Sequence, residues 1–444
     1  MPLLLFSCPI FAQVLAYLTS ELAVTDGVDP KGGLSALLAH CFGAEGVGIV
    51  ACGAGAFDVS QIAPSADAAR FLLAFTALAL VLDQYLPGKM EVGPETLTGH
   101  VPRYCNNALA HCAVFTFIFF GASNLGWLGL FDFGIFFDVF PASITCLNVF
   151  GMVLAVFLYY KGLHFPSTRD AGSSGSLLKD FTWGTELYPR VFGVDIKRFV
   201  NCRFSMTYWM LAGLSFTYRS YKLHGDVVDW GLALGAVSQF LYLVKFFEWE
   251  IGYMRSIDII VDRAGWEIQW GCLVWVPSVY TLHSRFLVLH PSGLDLWQAA
   301  PLATVGFAAV VLNYWADKQR QDFREHFKKG YKVWGKEAVY VEAEYEVIGK
   351  DGKSRKRKSL LLASGFWGVA RHFQYFFELT AAWSWTLLAN PWRNGALVLF
   401  YSVFLTILLT ERAVRDHRKC SLKYGKHWDK YCKLVPWKIL PGVY

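Results

Sequence analysis

Apolar runs long enough to cross a bilayer, roughly 17–25 residues each, recur along the whole of this 444-residue chain. They lie at 1–18, 34–57, 68–86, 108–130, 142–160, 204–217, 227–247, 268–289, 297–315, 376–390 and 396–410. Two of them, 204–217 and 376–390, are short for a crossing, so the pattern predicts about ten transmembrane helices. The run at 1–18 has no basic leader and no small-residue cleavage site, and it reads as a retained span rather than a signal peptide.

Composition supports this reading. Apolar residues make up 55% of the chain and charged residues only 17%. A soluble globular protein carries roughly 25% charged residues, so this chain cannot clothe a water-facing surface of its size. The same apolar excess excludes disorder. The net charge of +6 is modest and sits in a few loops, a pattern of membrane topology rather than nucleic-acid binding. The ten cysteines include no CxxC and the eleven histidines no HExxH, so neither a disulfide framework nor a metal site is expected. The expected fold is an all-α polytopic membrane protein, a single integral-membrane domain over residues 1–444.

Three polar stretches interrupt the spans: Lys161–Arg203, with a Gly/Ser-rich piece at 171–176, then Asp317–Lys358, then the tail Arg412–Tyr444. Within the second, Val339–Ile348 alternates apolar and polar residues. Lys350-Asp351-Gly352 offers a turn, and a basic run leads to Leu360–Leu362, which predicts a small cytosolic β-hairpin. The last two stretches are both rich in Lys and Arg and belong on the cytoplasmic side. The spans at 376–390 and 396–410 lie between them, an even number of crossings that satisfies that topology, and the tail is expected to be helical.

Ionisable residues in apolar surroundings mark where chemistry can occur. Glu248, Glu250, Arg255, Asp258, Asp262, Arg263 and Glu267 fall in or beside apolar stretches of 245–290. A charge at mid-bilayer costs at least about 2.5–3.5 kcal/mol, so such residues pair or face a cavity. Helical spacing places Arg255, Asp258 and Asp262 on one face. Structural ion pairs on an interfacial helix and a buried functional site both remain open. In the tail, basic residues alternate with Asp416 and Asp429, and Tyr424, Trp428 and Tyr431 fall at helical spacing. Attraction to anionic lipid headgroups needs only the positive charge. A pocket for a phosphorylated, ring-bearing cofactor needs cations, stacking rings and a carboxylate together. Arg320 and Arg324, one helical turn apart, could join such a pocket. No GxGxxG follows a strand pattern, the glycines at 46–55 lying in an apolar run, and no GxxxxGK[ST] occurs. A nucleotide here would not use a Rossmann or P-loop cradle.

The stretch IGYMRSIDIIVDRAGWEIQWGCLVWVPSVYT (251–281) resembles one signature of the membrane sterol reductases, and CSLKYGKHWDKYCKLVPWKILPGVY (420–444) resembles the other. Matching blocks stand at 86–107, 184–204 and 361–375, so the likeness covers nearly everything after about residue 80. The detailed wording, including Leu187-Tyr188-Pro189-Arg190, Asn201-Cys202-Arg203 and Arg320-Gln321-Asp322-Phe323-Arg324, is most similar to the Δ7-reducing branch, plant type. The resemblance implies a multi-pass endoplasmic-reticulum enzyme that uses NADPH to reduce the C7=C8 bond of Δ5,7-sterols. Its substrate would be a sterol in a lipid membrane, with no nucleic-acid partner, and partners among other sterol-synthesis enzymes are left open. Residues 251–444 would form the half that holds the cofactor and sterol pocket.

Carried over residue by residue, the likeness places the cofactor on Arg320, Arg324, Leu362, Trp367, Gln374, Tyr375, Asp416, Cys420, Ser421, Leu422, Lys423, Tyr424 and Tyr431. Gln374 stands where the family usually has Asn or His, and Asn107 where it usually has Gly, a change expected to alter only a helix start. The implied mechanism is ionic: a proton goes to one end of the diene, and the allylic cation is stabilised in a dry pocket before hydride arrives. Tyr280 is the first candidate for proton donor, with Asp258, Asp262 and Glu267 behind it. Δ14- or C24(28)-reduction is the nearest rival reading. A membrane methyltransferase of the isoprenylcysteine type shares a KYG…W…Y…P-like tail but not the signature at 251–281. A scaffold like the lamin B receptor relies on a basic folded region before the first span, and this sequence opens in an apolar run.

Overall fold

A computed structural model of the chain describes residues 2–20, 63–96, 98–124, 132–348 and 354–444. The run expected to span at 34–57, its glycines and the hairpin turn Lys350–Gly352 lie outside the described residues. The apolar runs that are described form helices, as backbone groups in lipid require. These are α1 (Pro2–Leu18), α2 (Ala66–Tyr85), α3 (Ala108–Asn124), α4 (Phe140–His164), α5 (Met206–Leu223), α6 (Trp230–Glu248), α7 (Leu296–His326), α8 (Phe373–Leu388) and α9 (Phe400–Tyr424), with α10 (Lys426–Leu434) in the tail. Among the described residues, four helical runs are long and apolar enough to cross a membrane: Phe140–His164, Trp230–Glu248, Leu296–His326 and Ala396–Tyr424. Helix starts follow local chemistry. Ser65 accepts from the Ala68 N–H at the head of α2, and Asp229 from the Gly231 N–H at the head of α6.

The run at 268–289 is not one α-helix. It divides into Trp266–Trp270, a π-helical stretch Gly271–Tyr280 and Leu282–Phe286. Pro277 has no N–H to give the α ladder and crowds the preceding turn, which accounts for the widened geometry. Upstream, the expected common face of Arg255, Asp258 and Asp262 is not built. The helix there is only Ile257–Ile260, so Arg255 precedes it and Asp262 follows it. Ser256 is its N-cap position, and β-branched Val261 leaves helical geometry at its C-terminus.

The chain forms two compact units: Met1–Thr96, His100–Ala299 and Leu388–Phe400 in the first, and Leu97–Gly99, Ala300–Leu387 and Tyr401–Tyr444 in the second. In the first, α1 meets α4 through Gln13, whose amide donates to the Pro141 carbonyl at 3.0 Å and accepts from the Thr145 hydroxyl at 3.0 Å. Strands β1 (Lys89–Val92) and β2 (Arg103–Asn106) pair antiparallel. In the second, the predicted hairpin is present: β3 (Tyr340–Ile348) pairs antiparallel with β4 (Ser354–Leu362), Glu344 opposite Lys358 and Glu346 opposite Lys356. The alternation that predicted it sets Val341 and Ala343 against Trp428, Tyr431 and Val435 of the tail.

Candidate functional site

All thirteen positions carried over as cofactor contacts fall in the second unit. Arg320, on α7, lays its guanidinium 3.8 Å from the Trp367 ring centroid and reaches Asp317 at 3.3 Å. Trp367 is fixed in turn, its indole N–H donating to the Ala316 carbonyl at 2.7 Å. It follows a turn at Gly365, where φ is +60° and a Cβ would come within 2.3 Å of the Gln319 side chain. Only glycine fits there without displacing Gln319. Gln319 accepts from the Phe366 N–H at 3.0 Å, so α7 and the block 365–367 are held as one piece. Leu362 is buried in the same cluster, with Phe323, Phe366 and Trp367.

Arg324 is exposed one turn beyond Arg320 and forms no ion pair among the described residues. The tail supplies a second group of cation and rings. Lys423 Nζ lies 4.1 Å from the Tyr345 ring centroid and 4.9 Å from that of Tyr424. Tyr424 stacks at 6.4 Å on Trp428, and Trp428 lies 5.2 Å from Tyr431. The expected stripe therefore exists, but not on one helix: Gly425, at φ +49°, ends α9 and starts α10 between Tyr424 and Trp428. Burial pushes the Tyr431 phenol up, against the pull of Arg320, Arg371 and Arg324, so it stays a hydrogen-bond donor.

The other expected contacts divide. Asp416 reaches His372 Nε2 at 3.3 Å and accepts from the Cys420 thiol at 3.6 Å. Tyr375 stacks flat on His372 at 5.0 Å. Gln374 is buried, and its backbone carbonyl accepts from Asn313 at 2.9 Å. Ser421 and Leu422 are exposed, Leu422 90% so. Sequence reasoning missed Tyr345, Arg371 and His372. Arg371 donates to the Val435 carbonyl at 3.1 Å, while the N–H groups of Arg371 and His372 donate to the carbonyls of Trp437 and Lys438.

The four proton-donor candidates lie in the first unit. Lys197, buried, donates to the carbonyls of Ile259 at 3.0 Å and Asp262 at 2.5 Å and so pins their loop. Burial pushes its ammonium down to about 8, against the opposing pull of Asp195, Asp258 and Asp262. Trp183 donates to Asp262 Oδ1 at 3.5 Å. Tyr280 closes the π-helical stretch and meets the Trp209 ring edge-on at 5.1 Å. Gln239 accepts from Trp209 at 2.8 Å and holds His283 and Ser284 on its amide nitrogen. Glu267 is exposed.

One buried constellation in this unit was not foreseen as a whole. Arg203, fully buried, donates to Asp83 at 2.9 Å, to Asn107 Oδ1 at 2.9 Å and to both carboxylate oxygens of Glu250. Arg198 shares Asp83 at 3.2 Å and Asn107 at 3.1 Å. Asn107 thus does more than start α3, because its side chain accepts from two arginines. For Glu250, structural ion pairing is the reading that holds.

Residues 52–444 match the Ergosterol biosynthesis ERG4/ERG24 family. The chain is 40% identical over 382 residues, 86% of each chain, to the 7-dehydrocholesterol reductase of Arabidopsis thaliana. It is 34% identical over 392 residues to the Delta(14)-sterol reductase of Methylotuvimicrobium alcaliphilum, covering 87% of this chain and 85% of that one. With the 7-dehydrocholesterol reductase of Xenopus laevis it shares 32% identity over 85% of this chain and 80% of the other. The chain belongs to the ERG4/ERG24 family of sterol reductases and is a multi-pass membrane oxidoreductase of that kind.

Proposed function

We infer that this chain reduces the C7=C8 double bond of Δ5,7-sterols with NADPH, in the endoplasmic-reticulum membrane and with about ten spans. The observation that carries the cofactor half is the set Arg320, Arg324, Lys423, Tyr424 and Asp416 gathered in one unit. Its chemistry fits a phosphorylated dinucleotide. Guanidinium and ammonium groups match phosphates, and flat rings match the heterocycles. A 2′-phosphate needs a cationic partner, and Arg324, which has no acid paired with it among the described residues, offers one. Gln374 Oε1 and His372 Nδ1 are buried polar atoms without a partner among the described residues, as expected where a ligand supplies one. NADPH, when bound, supplies a hydride.

The rest of the reaction falls to the protein. Arg320 and Arg324 would hold phosphates, Trp367 fixes Arg320, and Tyr431 stays protonated to donate. The sterol needs a proton at one end of its diene, and Tyr280 is our first candidate, with Asp258, Asp262 and Glu267 as alternatives. The Δ7 assignment rests on the 40% identity to the plant 7-dehydrocholesterol reductase, against 34% to a Delta(14)-sterol reductase. Δ14 reduction is the second reading, supported by that latter likeness.

The test uses microsomes from yeast expressing the chain, given 7-dehydrocholesterol and NADPH. Loss of the conjugated-diene absorbance with a gain of two hydrogens by mass spectrometry is expected. An intact diene with well-expressed protein would refute the Δ7 reading, and Δ14 and C24(28) sterols would then be supplied to the same membranes.

A further inference from the structure

His372, in the second unit, is a polar side chain whose ring is only half paired among the described residues. It is buried, its ring lies flat on Tyr375, and its backbone N–H is tied to the Lys438 carbonyl at 2.8 Å. Three constraints of this kind leave the imidazole little freedom to turn. Nε2 faces Asp416 Oδ2 at 3.3 Å, while Nδ1 is buried with no hydrogen-bond partner among the described residues. A buried ring nitrogen left unpaired is unfavourable, and native proteins keep such atoms where something else completes them.

We propose that His372 is a further cofactor-binding residue, holding Asp416 through Nε2 and accepting a hydrogen bond from the bound dinucleotide at Nδ1. The proposal rests on the NADPH reading above. Chemistry narrows what Nδ1 can take. A carboxylate at Nε2 keeps the proton on that nitrogen, so in the neutral ring Nδ1 carries a lone pair and is an acceptor. Its partner must therefore be an N–H or O–H donor. Phosphates offer none when ionised, so they fall to Arg320, Arg324 and Lys423. A primary carboxamide or a ribose hydroxyl satisfies the requirement, and NADPH carries both. His372 would thus read a different part of the ligand from the arginines, and its position three residues before Tyr375 lets one helical turn present an acceptor and a stacking ring together.

The experiment compares NADPH affinity of the purified full chain, by quenching of tryptophan fluorescence, in wild type, His372→Gln and His372→Asn. A glutamine amide reaches the position of Nε2 and keeps the contact to Asp416, whereas an asparagine amide reaches that of Nδ1 and keeps the acceptor. The proposal expects about tenfold weaker binding in H372Q and a loss below about threefold in H372N, both with unchanged melting temperature; tenfold corresponds to about 1.4 kcal/mol. If H372Q binds NADPH as wild type does, the proposal is overturned, whether H372N weakens or not. Two ligands separate the donors. A loss in H372Q that vanishes for the 3-acetylpyridine analogue of NADP assigns the carboxamide, and a loss that persists for adenosine 2′,5′-bisphosphate assigns the adenosine half. Should both variants fail to fold, carbethoxylation of His372 in wild-type membranes, read by peptide mass spectrometry, takes their place: shielding by NADPH supports the contact and its absence overturns it. Arg324→Ala keeps the two claims apart. Weak binding in R324A with full binding in H372Q ends the His372 proposal alone, while a folded wild type that does not bind NADPH ends both.

Discussion

Arginines occur in two groups in this protein, and they are used in opposite ways. Arg198 and Arg203 are buried and matched by Asp83, Glu250 and the Asn107 amide, and all three guanidinium nitrogens of Arg203 meet an acceptor. Arg320 and Arg324 lie on one helix of the other unit, which also holds Lys423 and Arg371, and Arg320 pairs with Asp317 at 3.3 Å. Two guanidinium groups with two carboxylates make a closed set that joins distant parts of the chain. Cations in excess, stacked on rings, make an open set. On the proposed function, charge number does not mark a ligand site, whereas cations in excess among aromatic faces do.

The largest effect expected from breaking this contrast is in the closed set. Arg203→Ala strands Asp83 and Glu250 in a buried place, and removing one partner of such a network costs about 3–5 kcal/mol. The measurement is the melting temperature and yield of detergent-solubilised protein. We expect severe loss of folded chain in R203A, and a normal melt would show the network to be dispensable.

A smaller effect is expected at Lys197, the buried ammonium that pins the Ile259–Asp262 loop. Its folded pKa, about 8, lies below the ordinary lysine value of 10.5. Between those two values the unfolded chain binds more protons than the folded one, so stability rises with pH there. At full extent the change is on the order of 3 kcal/mol. The difference in melting temperature between wild type and Lys197→Met should therefore move in favour of wild type from pH 8 to pH 10. A pH-independent difference would contradict the assigned burial.

The smallest effect is expected on the outer face of the hairpin. Lys358 reaches Glu342 at 2.6 Å, but both side chains are well exposed. Solvent screening leaves such pairs little net worth. Lys358→Ala should leave the melting temperature and NADPH affinity unchanged, and a marked loss of either would mean that the hairpin is more than a cover for the tail.

Much of this could be read from the chain itself, for identifiable reasons. The hairpin was legible because alternation in VYVEAEYEVI and a basic return strand specify face and pairing locally. The ring series Tyr424, Trp428, Tyr431 was legible from spacing, although Gly425 divides it between two helices. The closed arginine set was not, because Arg203 meets Asp83 from 120 residues away, and no periodicity reports that distance. The Arg255–Asp258–Asp262 face failed for a local reason, a helix of four residues where a longer one was expected. His372 escaped notice because its partner Asp416 lies on α9, and the pairing is visible only once α8 and α9 are folded.

The central claim is that the open set binds the dinucleotide while the closed set only holds the fold. The most direct test is NADPH affinity of purified wild type and Arg324→Ala, measured alongside their melting curves. Loss of a charged hydrogen-bonding partner is worth about 1.5–3 kcal/mol, so R324A should bind NADPH at least about tenfold more weakly with an unchanged melt. Equal affinity in the two proteins would contradict the account.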